Sequence, residues 1–114
     1  VHLELDISQI KDVKILAMSG DRLNAGNAEE FKTTVTPHLG QGGKVVLDIS
    51  RLVFVDSSGL GAILSCLRKL TQAKGDLKLC GMSKQVRLLF ELVRMHRIVD
   101  VYNTSKEALA AFED

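Results

Sequence analysis

Val45-Val46-Leu47 is an unbroken run of apolar, strand-forming residues, preceded by the glycines Gly40, Gly42 and Gly43 and followed by Asp48. A short continuous run of this kind is the pattern of a strand covered on both faces, which requires helices on either side of a sheet. The rest of the chain supplies both kinds of element. Leu3 to Ile7 and Val13 to Ala17 alternate and predict a strand pair turning near Gln9 to Asp12. Leu52-Val53-Phe54-Val55 and Leu77-Lys78-Leu79-Cys80 read as further strands, and Ile98 to Tyr102 as a last short one. Asn24 is placed to cap a helix with Ala28, Phe31 and Val35 inward, and the run Thr33 to Thr36 with Pro37 predicts its end. A second helix is predicted from Ser83 to about Met95, with Val86, Leu89, Phe90 and Val93 as its core stripe. Leu88, Leu92 and Met95 widen that stripe, as a broad buried face or, alternatively, an exposed apolar patch for a partner. Thr104-Ser105-Lys106-Glu107 is a capping box opening a terminal helix with Ala108, Leu109 and Phe112. The fold expected is α/β: one domain over 1–114, a mixed, mostly parallel sheet of about four to five strands with about four helices.

Composition narrows the function. The 114 residues are 46% hydrophobic, enough for one core, and carry a formal net charge of +1, so no global field points to nucleic acid or membrane. Aromatics make up 4%, with no interleaving of basic and aromatic residues such as single-strand binders use. No apolar run reaches the roughly 18 residues of a spanning helix, so no membrane insertion is expected. Cys66 and Cys80 have neither CxxC nor metal spacing and read as buried, reduced thiols of a cytoplasmic domain. His2, His38 and His96 share no spacing for a metal or a relay.

The chemistry concentrates in Asp56-Ser57-Ser58-Gly59-Leu60-Gly61, which follows a strand and opens a helix. An acid and two hydroxyls there meet unpaired backbone N–H groups and the positive end of the helix dipole. A phosphate added at that point is electrostatically favoured inside the domain and changes the surface shown to a partner. Leu60, Ile63, Leu64 and Leu67 recur at helical spacing and are expected to face the sheet. Ser58, Gly61, Ser65, Arg68 and Gln72 form a second, polar stripe, with Ser57 on the buried side beside Leu60 and Leu64. Periodicity therefore favours Ser58 as phosphoacceptor, with Ser57 as the alternative. Taken alone, Asp56, Ser57 and Ser58 are ordinary helix caps. Gly59 and Gly61 each give up about 1 kcal/mol of helix propensity, which calls for tight packing on the sheet, close approach of a partner, or both. Asp48 ends a buried strand, either orienting the turn before Asp56 or capping its own strand. Arg87, Arg94 and Arg97 read as a solvated face that, with Arg68, would form a docking rim.

Enzyme signatures are missing from the sequence. The motif lacks the first glycine of G-x-S-x-G, no His–acid pair follows in the order that elbow needs, and there is no G-x-x-x-x-G-K-[ST] loop. No cofactor is expected.

The segment from Val45 to Ile49 through Phe54 to Gly61 resembles the signature of the STAS domain, specifically the bacterial anti-sigma factor antagonists. The resemblance runs from Gly20 to the Ala108-Leu109 helix. In that family the phosphoacceptor usually lies just before the glycine, which agrees with Ser58. Where the family usually shows Leu-Asp after the second strand, this chain has Leu23-Asn24, so the position carries over without the charge. The resemblance implies a non-enzymatic, monomeric switch that, unphosphorylated, binds an anti-sigma factor serine kinase and frees a sigma factor. The kinase would supply ATP and Mg²⁺, phosphorylation at Ser58 would abolish binding, and a PP2C-like phosphatase would reset it. Asp56, Ser57, Ser58, Gly59, Gly61, Ser65, Arg68 and Asn24 are the partner-binding residues this implies. STAS domains also serve as non-switching scaffolds or adaptors in stress and transport complexes, or as small-ligand and nucleotide-binding modules.

Overall fold

Five strands form the main sheet in the order β1-β2-β4-β6-β7, with the hydrophobic run at its centre. The structure, a computed structural model, describes residues 3–113. In chain order the strands are β1 (Leu5–Ile10), β2 (Val13–Met18), β3 (Arg22–Leu23), β4 (Lys44–Asp48), β5 (Phe54–Val55), β6 (Asp76–Cys80) and β7 (Asp100–Tyr102). The helices are α1 (Ala28–Val35), α2 (Ser57–Gln72), α3 (Lys84–Leu92) and α4 (Ser105–Phe112). Only β1 and β2 are antiparallel; β2, β4, β6 and β7 pair in parallel. The mixed, mostly parallel sheet and the four helices are those the sequence predicts. His2 lies outside the described residues.

Alternation along each strand builds two cores. Leu16, Met18, Val45, Leu47, Leu77 and Leu79 point to one face, where Phe31 and Val35 of α1, Ile63 and Leu70 of α2, and Val86 and Phe90 of α3 cover them. Val13, Ile15, Val46 and Cys80 point to the other, covered by Ala108 with Leu109 and Phe112 of α4. Burial on both faces explains the run Val45-Val46-Leu47, every residue of which is at most 1% exposed. On the α4 face the stem of Lys78 is buried, and its ammonium reaches Asp100 at 3.0 Å and lies 4.6 Å from the Phe112 ring.

Several boundaries differ from the sequence reading. The hairpin is longer and its turn tighter: Ile10 pairs with Val13, and Lys11 takes a φ of 56° at the corner. The run from Leu52 is a strand only at Phe54–Val55, pairing in parallel with Arg22–Leu23 in a separate two-stranded sheet. Helix α3 stops at Leu92, because Arg94 adopts a left-handed φ of 63° and a short 3-10 turn, Met95–Arg97, follows. Val93, expected in its core stripe, is 47% exposed. Leu88 and Leu92 are 64% and 78% exposed, which overturns the broad buried face; Met95 alone of the three is buried.

Candidate functional site

Asp56 organises the site. Its extended backbone makes it the N-cap of α2, and its carboxylate Oδ1 accepts from the Gly59 N–H at 3.0 Å. The other oxygen, Oδ2, accepts from the Ala25 N–H at 3.1 Å, tying the β3–α1 loop to the head of α2. The backbone completes the junction, since the Asp56 N–H donates to the Leu23 carbonyl at 3.2 Å.

Asn24 lies in that same loop but is not a helix cap, contrary to the sequence expectation. Its Oδ1 accepts from the Gly26 N–H at 2.9 Å, closing a tight Asx turn, and its own N–H donates to Asn27 Oδ1 at 2.9 Å. Asn27 takes the cap position of α1. The two asparagines therefore hold the loop that presents Ala25 to Asp56. Asp48 is not part of the junction: its Oδ1 accepts from the Ser50 N–H, capping its own strand.

The two glycines have different jobs. A Cβ on Gly59 would sit 2.3 Å from the Leu23 carbonyl oxygen, so this glycine lets α2 pack against β3. A Cβ on Gly61 would meet nothing within 4 Å. Tight packing thus accounts for Gly59, and nothing within the domain accounts for Gly61.

Ser57 and Ser58 are both exposed, as are Gly61, Ser65, Arg68 and Gln72. The polar stripe is as expected, but Ser57 belongs to it, and its expected place on the buried side is wrong. The cause is a rotation of the inward face, which centres on Gly59, Ala62, Ile63, Cys66 and Leu70, leaving Leu64 and Leu67 half-buried. With Gly59 N–H bound to Asp56, nothing among the described residues accepts from the Ser57 and Ser58 N–H groups, which are left at the positive end of a 16-residue helix. Such a terminus stabilises an added anion.

Ala25 and the Leu23 carbonyl, which complete the junction, were not identified from sequence, because both act through backbone atoms. Val53 and Phe54, beside the motif and read from sequence only as part of a strand, are exposed apolar residues. Both thiols are buried and free. Burial pushes Cys66 up to about 11, with Lys32 opposing, and Cys80 to about 12, where Asp48 adds to the effect. Neither is a poised nucleophile. His38 is half-buried and His96 exposed, and among the described residues no three His, Cys, Asp or Glu side chains converge on a metal position. No described helix is long and apolar enough to cross a membrane.

Comparison with known proteins agrees with this geometry. The STAS domain matches residues 4–108. The BtrV protein of Bordetella bronchiseptica, provisionally named an anti-sigma factor antagonist, is 32% identical over 112 residues, spanning 97% of this chain and 96% of that protein. A crystal structure from Thermotoga maritima, of a protein likewise provisionally named, superposes with a TM-score of 0.86 at 29% identity, covering 96% of this chain and 95% of that one. The Bacillus cell fate determinant SpoIIAA, solved in its phosphorylated form, shares the fold with a TM-score of 0.69 at 20% identity, over 96% of this chain and 99% of that one. The chain belongs to the STAS domain family, and its relatives include proteins named anti-sigma factor antagonists.

Proposed function

We propose that this chain is an anti-sigma factor antagonist working by partner switching, with Ser58 as the residue that takes phosphate. The observation that carries the reading is an exposed Ser58 on the first turn of α2, between the Asp56 cap and an open Gly61. Unphosphorylated, the chain binds an anti-sigma factor serine kinase through Ser58, Gly61, Ser65 and Arg68, with the Asn24 loop alongside, and so frees a sigma factor. The kinase brings ATP and Mg²⁺; a PP2C-like phosphatase removes the phosphate. The antagonist is a monomer when free and carries out no catalysis itself. Support comes from relatives named anti-sigma factor antagonists, and from SpoIIAA, a protein of this fold with a phosphorylated form.

Charge is sufficient to work such a switch. Phosphorylation adds about −1.5 to −2 charges. A partner carboxylate within about 4 Å would be repelled by on the order of 4 kcal/mol per unit charge at an effective dielectric near 20. A hundredfold loss of affinity needs only about 2.8 kcal/mol. Exposure no longer separates Ser58 from Ser57, so the choice between them rests on the position before Gly59 and is decided by mapping.

The test is a calorimetric titration with the cognate kinase, with phosphate mapped by mass spectrometry. Ser58→Ala should bind and resist release by ATP. Gly61→Leu should bind at least tenfold more weakly, because the added side chain has room in the fold but stands in the contact face. Phosphate on Ser57 with Ser58 empty would reassign the acceptor, and normal release of Ser58→Ala would remove the switch.

A further inference from the structure

Six of the eight large hydrophobic side chains exposed among the described residues are Val53, Phe54, Leu88, Leu92, Val93 and Ile98, on the packed pair β5 and α3 and the segments beside them. They belong to β5, α3 and the turn after it, and none is needed to close the core. Two clefts open beside these residues, Val53 and Phe54 lining one and Ile98 the other. One cleft, of about 130 Å³, opens between β5 and α3, lined by Phe54, Gln85 and Leu89. A second, of about 370 Å³, opens between α2 and Ile98, lined by Leu64, Leu67 and Arg68. Leu88 and Leu92, four residues apart on α3, stand one turn apart on its outer face. Apolar-lined clefts flanked by exposed leucines can receive the spaced apolar anchors of an amphipathic helix.

The charges around the patch are mostly positive, with Glu91 on α3 and Asp21 beside Val53 as acidic exceptions. Arg68, Lys84, Arg94 and Arg97 are exposed, and among the described residues none has an ion-pair partner. Glu91 is the sole exposed acid from Lys84 to Ile98. A second copy of the chain would set these cations against their own kind, which disfavours a symmetric dimer through this face. A flat lipid surface would leave the two clefts unfilled. We infer that the patch is the docking site for an acidic amphipathic helix of a partner protein, its apolar side chains seated against Phe54, Leu88, Leu92 and Ile98 and its carboxylates facing the arginines. The inference deepens the switch reading and rests on it, since Phe54, which lines the first cleft, lies two residues before the Asp56 cap of the helix that carries Ser58. The test below uses no phosphate and no kinase, so its failure leaves the switch intact.

The experiment is a methyl and amide NMR titration of the full chain with a helical peptide of about four turns, bearing leucines on one face and glutamates on the rest. Its counterpart carries lysines in place of the glutamates. The glutamate peptide should shift Phe54, Leu88, Leu92 and Ile98, bind at least tenfold more tightly than the lysine peptide, and weaken as salt is raised. Leu88→Ser with Leu92→Ser, both at exposed positions, should abolish the shifts while the remaining spectrum stays native. Equal binding of the two peptides, or none, overturns the inference. Shifts at the same residues on concentrating the chain alone would assign the patch to a second copy. Shifts with anionic phosphatidylglycerol vesicles and not with the glutamate peptide would assign it to a membrane.

Discussion

The carboxylate of Asp56 accepts a hydrogen bond from the backbone N–H of Ala25, 31 residues away in the chain, at 3.1 Å. Its other oxygen caps α2 through Gly59 at 3.0 Å. One side chain therefore fixes both the start of the helix that carries Ser58 and the loop that carries Asn24. A bond of a charged acceptor to a backbone N–H is worth more than a neutral one, and both of these hold parts of the same surface.

Removing that carboxylate should loosen the site more than the fold. Asp56→Ala loses the N-cap, a change that typically costs 0.5–2 kcal/mol, and leaves the Ala25 N–H to water. Urea unfolding should show a loss of about 1–2 kcal/mol, and amide exchange should quicken at Ala25 and Gly59. Asp56→Asn keeps one acceptor oxygen but cannot serve both donors with carbonyl geometry, so one of the two amides should still quicken. If both amides stay protected in Asp56→Ala, the loop is held by something other than this bridge.

Gly59 and Gly61, two residues apart, should respond to alanine with opposite signs. At Gly59 the new methyl would overlap the Leu23 carbonyl at 2.3 Å, and backbone cannot move aside as a flexible side chain can. Overpacking of this kind costs about 1–3 kcal/mol. At Gly61 the methyl meets nothing within 4 Å, and alanine restores up to about 1 kcal/mol of helix propensity. Thermal melts of the two variants should bracket the parent, Gly59→Ala below and Gly61→Ala above. A stabilising Gly59→Ala would mean that α2 sits farther from β3.

The elements that were legible carry a pattern with a single physical reading: an apolar run for β4, alternation for β2, a capping box before α4; the two-residue β3 and β5 carry none. The rotation of α2 was not legible, because hydrophobic periodicity weights leucine heavily. Close packing on α1 and β3 instead turns Gly59, Ala62 and Cys66 inward and leaves Leu64 and Leu67 at the margin. That difference moved Ser57 from the buried side to the exposed one. The end of α3 was hidden for another reason: its break is the left-handed Arg94, at a position where the usual signal is glycine or asparagine. Asn24 was misplaced by three residues because either asparagine suits a cap, and only the Asx turn at Gly26 decides between them.

The two thiols predict how the fold behaves in alkali. Burial holds Cys66 at about 11 and Cys80 at about 12, against the ordinary 9.0. A raised acid keeps its proton in the folded chain while the unfolded chain has already released its own. The stabilisation is therefore complete below about pH 9 and is lost as pH rises toward 11 and 12. By pH 11 the loss should be on the order of 2 kcal/mol for each cysteine, at 1.36 kcal/mol per pH unit. Lys78 acts in the same direction: its burial favours the neutral form, but the bond to Asp100 and the nearby Asp76 outweigh this and raise it above 10.5, so its contribution also fades at high pH. Urea unfolding at pH 8, 10 and 11 should show a falling stability, with a shallower fall in Cys66→Ala whatever that variant costs at pH 8. The folded chain should also resist a disulfide-exchange reagent at pH 8 and react fully once unfolded. Rapid labelling of the folded chain, or an unchanged pH slope in Cys66→Ala, would show that water reaches the thiol and that α2 does not seal against the core as described.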